Sequence, residues 1–184
     1  EKRAAEILQT HAREMQALSL IDEMTQLYNR RGFLSMGSQY LKSAKRNKQS
    51  AVVLFVDLDG LKQINDQLGH EAGDTAIMAT AEVLRSTFRE SDILGRLGGD
   101  EFVVLAGDCS DPRKPISRLT DAVAVHNSTA HHERPLSLSI GAAIFIPETP
   151  EPLEALMQRA DVAMYEVKRA RSRGNPRPTQ PKPT

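Results

Sequence analysis

The 184-residue sequence predicts one α/β domain with a mostly antiparallel central sheet flanked by helices, as in ferredoxin-like palm folds. Three observations support this fold class. Residues 51–56 form a β-branched apolar run of the kind found in fully buried strands. Residues 92–106 contain two apolar segments separated by Gly98-Gly99, which is typical of a β-hairpin. Helical periodicity both precedes and follows these strand segments.

The predicted elements follow in the order helix, helix, strand, helix, helix, hairpin, helix, strand, helix. In residues 1–20, apolar side chains from Ala4 to Leu18 recur at steps of three and four, which predicts a helix. Two interpretations of it stay open: a short coiled-coil seam, or an amphipathic helix that lies on its own domain. We expect residues 1–20 to be a signalling or linker helix ahead of a folded domain over residues 21–173.

The next elements are a helix from about Asn29 to Lys45, the buried strand, and a short helix from Leu61 to Leu68. Residues 69–74 are predicted to form a loop, because two glycines and polar side chains dominate the segment. A longer helix follows this loop. Its apolar face contains Ile77, Ala81, Leu84 and Phe88, which recur at helical spacing.

The last third of the chain contains a helix, a strand and a further helix. The helix is predicted over residues 112–125, and residues 126–134 are predicted to form a polar loop with exposed histidines. Leucine, isoleucine and serine alternate over residues 136–140, which predicts a half-buried strand. A helix follows Pro152, and the proline-rich residues 174–184 are predicted to be a disordered tail.

Composition excludes several classes of protein. Lys plus Arg and Asp plus Glu number 24 each, so net charge does not indicate a nucleic acid polymer as partner. Cys109 is the one cysteine, which excludes a disulfide framework or a cysteine-rich metal site and fits the cytoplasm. The given residues do not open with the basic-then-apolar pattern of a signal peptide, and they contain no apolar run of membrane-spanning length. We expect a cytoplasmic domain, and a membrane anchor elsewhere in a parent protein stays open.

Acidic residues lie at the ends of the predicted strands. Asp57 and Asp59 end the most apolar strand, and Asp100 and Glu101 follow the Gly98-Gly99 turn. If the hairpin neighbours that strand, Asp57 and Asp100 form an oxygen-only site suited to Mg²⁺. The alternatives are that the first two acids cap the following helix and that the turn acids are simply solvated.

Residues after the first strand suit a nucleotide. Lys62 carries a point charge that suits phosphate. The backbone amides around Gly60 and Leu61 could form the N-terminus of a helix and bind phosphate. Asn65 and Asp74 have side chains that can pair with the edge of a guanine. Each also has a structural alternative, Asp74 as a helix N-cap and Asn65 as a turn residue.

Six segments together resemble the GGDEF family of diguanylate cyclase catalytic domains. The sequence Arg-Leu-Gly-Gly-Asp-Glu-Phe at residues 96–102 is similar to the family signature. The other five segments occur in the family's order and spacing: Asp22–Phe33, Asp57–Asp66, Gly69–Asp74, Ser139–Gly141 and Ala160–Tyr165. The resemblance spans roughly residues 20–173 and implies a palm fold similar to those of nucleotide cyclases and polymerases.

The resemblance implies a reaction in which two GTP molecules become cyclic di-GMP and two pyrophosphates. In this family, two protomers meet face to face, so a homodimer is required, and two Mg²⁺ or Mn²⁺ ions bind each active site that holds GTP. An upstream sensory domain is expected in the parent protein. The resemblance also implies roles for individual residues. Asp57, Asp100 and the Leu58 carbonyl would bind metal, and Asp100 or Glu101 would deprotonate the 3′-hydroxyl. Lys62 would contact phosphate or the transition state, and substrate would be bound by Leu61, Asn65, Asp74 and Lys168.

A second site is also implied. Arg89-Glu-Ser-Asp92 resembles the family's inhibitory site for cyclic di-GMP, and Arg118 is a candidate second arginine for it. Taken alone, the Arg89 and Asp92 pair favours an ion pair at a helix end. Arginine and aspartate side chains are also well suited to the guanine edge.

Three departures from the family pattern bear on function. Gln26 stands where a glycine is usual, Leu61 replaces a common phenylalanine, and Ser172 stands where a phosphate-binding arginine is usual. Arg171 or Arg173 could replace that arginine, or both belong to a solvated basic tail. A catalytically inactive sensor of GTP or cyclic di-GMP is therefore the alternative function. A palm-fold cyclase that acts on one nucleotide is a further alternative, which Asn65 and Asp74 disfavour.

Overall fold

The computed structural model describes residues 19–129 and 134–174. Residues 1–18 of the helix predicted over residues 1–20, two of the histidines of the predicted loop and the tail after residue 174 lie outside these residues. Residues 19–20, the end of that predicted helix, are not helical. The described helices are α1 (Arg30–Arg46), α2 (Leu61–Leu68), α3 (His70–Thr87), α4 (Arg113–Thr129) and α5 (Leu153–Gly174). The strands are β1 (Ala51–Leu58), β2 (Ile93–Gly98), β3 (Glu101–Gly107) and β4 (Leu138–Phe145).

The four strands form one sheet in the order β2-β3-β1-β4, and each neighbouring pair is antiparallel. The predicted α/β class with an antiparallel sheet and flanking helices is therefore confirmed. β1 lies inside the sheet and is buried at all eight positions, as its apolar sequence predicts.

Alternation along β1 divides the core into two layers. Val52, Leu54 and Val56 pack with residues of α3 and α4, whereas Val53 and Phe55 pack with residues of α1 and α5. Successive side chains of a strand point to opposite faces. Asp57 continues the second series and therefore lies on the face covered by α5.

The loop predicted over residues 69–74 is wrong, and the loop predicted over residues 126–134 is wrong for residues 126–129. α3 begins at His70, so Gly69 alone separates it from α2. The φ of Gly69 is 89°, which lets the chain turn within one residue. Asp74 consequently lies inside α3 and does not cap it. α4 continues to Thr129, where the Thr129 hydroxyl donates to the Val125 carbonyl at 3.0 Å, and His126 is half-buried in that last turn.

The segment before α1 runs beside β2. The Tyr28 amide donates to the Leu94 carbonyl at 3.1 Å, and the Arg96 amide donates to the Tyr28 carbonyl at 2.8 Å. Asn29 caps α1 by accepting from the Gly32 amide at 2.9 Å. The opening segment is thereby fixed to the hairpin. Among the helices described, none has the length and apolar character needed to cross a membrane.

Candidate active site

The β-hairpin turn lies beside the end of β1. The register of β1 and β3 pairs Asp57 with Glu101, and the Leu58 amide donates to the Asp100 carbonyl at 2.9 Å. Gly98 and Gly99 both have positive φ, which makes this tight turn possible. The expectation that the hairpin neighbours the Asp57 strand is confirmed. Asp57, Asp100 and Glu101 therefore lie together at the end of the sheet where β1 finishes and β3 begins.

Asp57 is a buried carboxylate that is paired with a cation. It is 7% exposed, and its Oδ1 accepts a hydrogen bond from Lys168 Nζ at 2.7 Å. Burial raises the pKa of Asp57, and the Asp100 carboxylate raises it further, against the lowering effect of Lys168. The ionised carboxylate is therefore costly at this buried position unless a cation lies beside it, as the Lys168 ammonium does.

The pKa values of Glu101 and Lys168 both respond to the neighbouring acids Asp57 and Asp100. Burial raises the pKa of Glu101, and the neighbouring Asp100 and Asp161 add to this effect. Burial alone lowers the pKa of Lys168, but the hydrogen bond from its ammonium to Asp57 and the other acids raise it overall. At neutral pH, Lys168 is therefore a firmly charged cation inside an acidic site.

Asp59 has different partners from Asp57. β1 ends at Leu58, so Asp59 lies in the turn, where its carboxylate accepts from the Ser137 and Ser139 hydroxyls, each at 2.7 Å. Arg171 Nη1 lies 3.4 Å from Asp59 Oδ2 and donates to the Leu138 carbonyl at 2.8 Å. Asp59 thus connects the end of β1 to β4 and α5. The N-cap of α2 is Gly60, without a side-chain cap hydrogen bond, so neither acid caps this helix.

The residues predicted to bind substrate lie on α2, α3 and α5. Lys62 is exposed in the first turn of α2, and Asp74 is exposed on α3. Asn65 and Leu61 both face Gly73: a Cβ built on that glycine would lie 1.9 Å from Asn65 Oδ1 and 3.2 Å from Leu61 Cδ1. The structure therefore brings Leu61 and Asn65 against the residue next to Asp74, where α2 and α3 meet.

A cavity beside Lys168 separates α2 from the start of β4. Its volume is about 570 Å³. The lining includes Gly60, Gln63, Arg134, Lys168 and Arg171. Arg134 was not predicted as a site residue. It follows a segment rich in histidine and serine, and only the fold brings it to Gln63, whose Oε1 accepts from it at 3.0 Å.

Arg96 links the hairpin turn to the opening segment, a role that sequence reasoning missed. Its Nε and Nη2 donate to the Gly99 carbonyl at 3.1 and 3.0 Å, and its Nη1 lies 3.2 Å from Asp22 Oδ2. The Asp22 carboxylate also accepts from the Thr25 amide and hydroxyl at 2.9 and 2.7 Å. The position of Arg96 inside the signature segment was the available signal.

The residues predicted for the second site line one cavity of about 200 Å³ on the far side of the domain from Asp57 along β3. They are Arg89, Asp92 and Arg118. The Asp92 carboxylate accepts from the Arg89 and Gly107 amides at 2.9 and 3.0 Å, which fixes it at the rim. The Arg118 guanidinium lies 5.2 Å from the centre of the Phe88 ring, which orients it.

The site suits a hard divalent cation. Its donors are carboxylates and backbone carbonyls, and its buried carboxylate already holds an ammonium group at 2.7 Å. Within residues 19–129 and 134–174, no group of three or more His, Cys, Asp or Glu side chains is arranged to hold a metal. A bound metal would therefore depend on Asp57, Asp100, a backbone carbonyl and ligands from the substrate.

Comparison with known proteins identifies the family. Residues 19–174 match the family profile described as diguanylate cyclase, GGDEF domain. This chain belongs to the GGDEF family. The GGDEF domain is similar to diguanylate cyclase TpbB of Pseudomonas aeruginosa, with 39% identity over 167 residues, and to probable diguanylate cyclase DgcC of Escherichia coli, with 36% identity over 170 residues.

These alignments cover 85% and 89% of the chain but 36% and 44% of the two relatives, so the chain spans less than half of their length. Among solved structures, the GGDEF domain of DgcB from Caulobacter crescentus, in complex with c-di-GMP, matches with a TM-score of 0.74 at 25% identity. That match covers 82% of this chain and 88% of the DgcB chain.

Proposed function

We propose that this GGDEF domain is a diguanylate cyclase, which condenses two GTP molecules into cyclic di-GMP and releases two pyrophosphates. The observation that carries the proposal is the buried Asp57 carboxylate on the strand beside Asp100 and Glu101. Membership of the family and the names of the similar proteins support the same activity.

Asp57, Asp100 and the Leu58 carbonyl would hold Mg²⁺ or Mn²⁺, with two ions per active site when GTP is bound. When bound, such ions neutralise triphosphate charge and lower the pKa of an attacking hydroxyl. The raised pKa of Asp57 is consistent with a carboxylate whose environment favours a neighbouring cation.

The chain's own residues would bind and orient the nucleotide. Asn65 and Asp74 would pair with the guanine edge, with Leu61 packed beneath it, because these residues meet where α2 and α3 join. Lys62, in the first turn of α2, and Lys168, which lines the cavity beside Gly60, would hold phosphate oxygens. The triphosphate would then lie across the end of β1.

Asp100 or Glu101 would accept the proton of the ribose 3′-hydroxyl. Glu101 has a raised pKa, which makes it a stronger base than an ordinary carboxylate. The 3′-hydroxyl oxygen would attack the α-phosphate of the partner's GTP, which forms one new ester bond in each half-reaction and releases pyrophosphate. Because each protomer contributes one site, catalysis needs a homodimer, which an upstream sensory domain would bring into register.

Cyclic di-GMP would also bind the second cavity as an inhibitor. Arg89 and Arg118 would contact guanine or phosphate there, and Asp92 would accept from a guanine edge. The cavity is separate from Asp57, so occupation would act on the arrangement of protomers and not on direct competition with GTP.

An inactive sensor of GTP or cyclic di-GMP is the second candidate. The observation that favours it is Ser172, which replaces an arginine in the last motif. Arg171, one residue earlier, is engaged by Asp59 and the Leu138 carbonyl. This candidate predicts nucleotide binding without turnover.

The test is incubation of the purified chain with GTP and Mg²⁺, followed by chromatographic separation of the products. We expect cyclic di-GMP from the wild type, with a rate that rises faster than linearly with protein concentration, and none from Asp100→Ala. Binding of GTP without product at high protein concentration would favour the sensor.

A further inference from the structure

Lys168 reaches the proposed metal site from the last helix. Its Nζ lies 2.7 Å from Asp57 Oδ1, with the Asp57 side chain 10% exposed and the Lys168 side chain 41% exposed. The contact joins residues 111 positions apart in the sequence. The ammonium therefore covers one oxygen of the buried carboxylate that the metal would use.

The next cation along α5 has a different partner. Arg171 lies 3.4 Å from Asp59 and donates to the Leu138 carbonyl, and the Asp59 carboxylate also accepts from the hydroxyls of Ser137 and Ser139. Arg171 is consequently held in a network of polar groups outside the metal site. It carries the same charge one helical turn away, which makes it a control for a nearby cation that does not contact Asp57.

Two cations at one carboxylate repel each other. A divalent ion bound to Asp57 at about 2.1 Å would lie roughly 4 Å from an ammonium that keeps its hydrogen bond to the same group. The flexible four-carbon stem of lysine allows the ammonium to move without a change in the helix. Displacement of Lys168 is the least costly way to relieve this repulsion.

We infer that Lys168 and the divalent metal ion compete for Asp57, so that metal binding releases Lys168 from its ion pair. This inference rests on the proposed function, because it takes Asp57 as a metal ligand. Its consequence is coupling: the metal binds weakly while Lys168 holds Asp57, and binds more tightly once substrate phosphate takes over the ammonium. Lys168 thereby acts as a positioning residue for metal and nucleotide together.

The inference is tested by titrating Mn²⁺ into the nucleotide-free protein and measuring bound metal by electron paramagnetic resonance and calorimetry. We expect Lys168→Met, which keeps the apolar stem, to bind Mn²⁺ about fivefold or more tightly than the wild type, as relief of a local repulsion predicts. The matched variant Arg171→Met should gain clearly less than Lys168→Met, because Arg171 contacts Asp59 and not Asp57. Lys168→Gln should repeat the gain if the methionine variant melts early.

Adding Asp57→Asn to Lys168→Met should remove the gain. Unchanged or weaker Mn²⁺ binding by both Lys168 variants would overturn the inference, as would an equal gain in Arg171→Met. If the wild type still produced cyclic di-GMP, that result would leave the proposed function intact. Failure of every variant to bind Mn²⁺, together with no cyclic di-GMP from the wild type, would contradict both the inference about Lys168 and the proposed function.

Discussion

Gly73→Ala should impair guanine binding with little effect on stability. The new Cβ would lie 1.9 Å from Asn65 Oδ1 and 2.9 Å from Asn65 Cγ. The carboxamide must therefore retreat by about 1.5 Å to regain an ordinary contact distance of about 3.4 Å. That displacement exceeds the tolerance of a hydrogen bond, so the proposed bond between Asn65 and guanine would be lost.

The loss of one such bond costs about 1–2 kcal/mol, which corresponds to a roughly 5- to 30-fold weaker affinity. The fold should tolerate the change, because alanine gains about 1 kcal/mol over glycine within a helix, and this offsets the strain of a moved side chain. We expect the melting temperature to change by less than about 4 °C.

The assay is calorimetric titration of a non-hydrolysable GTP analogue into wild type, Gly73→Ala, Asn65→Ala and the double variant. Because both single changes act on the same contact, the double variant should bind about as weakly as Asn65→Ala alone. Wild-type affinity in a folded Gly73→Ala protein, or additive losses in the double variant, would refute the role assigned to Asn65.

Three further predictions concern stability, each measured by thermal or urea unfolding. Gln26 has a φ of 58°, so Gln26→Gly should relieve about 1 kcal/mol of backbone strain and raise the melting temperature by about 2–4 °C; a fall would contradict this. A Cβ at Gly141 would lie 2.1 Å from the Ala160 carbonyl oxygen, so Gly141→Ala should cost at least about 3 kcal/mol, and a neutral change would show that α5 can shift. Burial alone raises the pKa of Asp22, but hydrogen bonds from Thr25 and the charge of Arg96 hold that pKa below its usual range. The stability that this carboxylate contributes is therefore present above its unfolded pKa, and it is lost as pH falls through the lower folded pKa. The wild type should therefore exceed Asp22→Asn in stability at pH 6, with a gap that closes below about pH 4, whereas a gap independent of pH would exclude this ionisation as its cause.

Local sequence patterns predicted the fold well. The apolar run of β1 and the paired glycines of the hairpin each require only neighbouring residues, and α1 and α2 begin and end within one residue of their predicted limits. The predicted loop after α2 failed because a single glycine with φ of 89° replaced a turn of several residues. Glycine content alone does not indicate how few residues a turn needs.

The candidate site was predictable where its residues follow a strand or turn directly. Asp57, Asp100 and Glu101 meet because antiparallel pairing brings the hairpin turn to the end of β1. The Lys168 contact to Asp57 could not be predicted as an ion pair, since it depends on how α5 crosses the sheet. The Arg96 link to Asp22 depends likewise on tertiary packing of the opening segment.

The proposed activity is tested most directly by the rate of cyclic di-GMP formation from GTP and Mg²⁺ in wild type and Asp57→Asn, each over a range of protein concentrations. The buried position of Asp57 on the strand beside Asp100 and Glu101 predicts product from the wild type, with a rate that rises with more than the first power of concentration, and a loss of at least about 100-fold in Asp57→Asn. Equal rates in the two proteins would contradict the role of Asp57, and no product from a folded, GTP-binding wild type would contradict the assignment of cyclase activity.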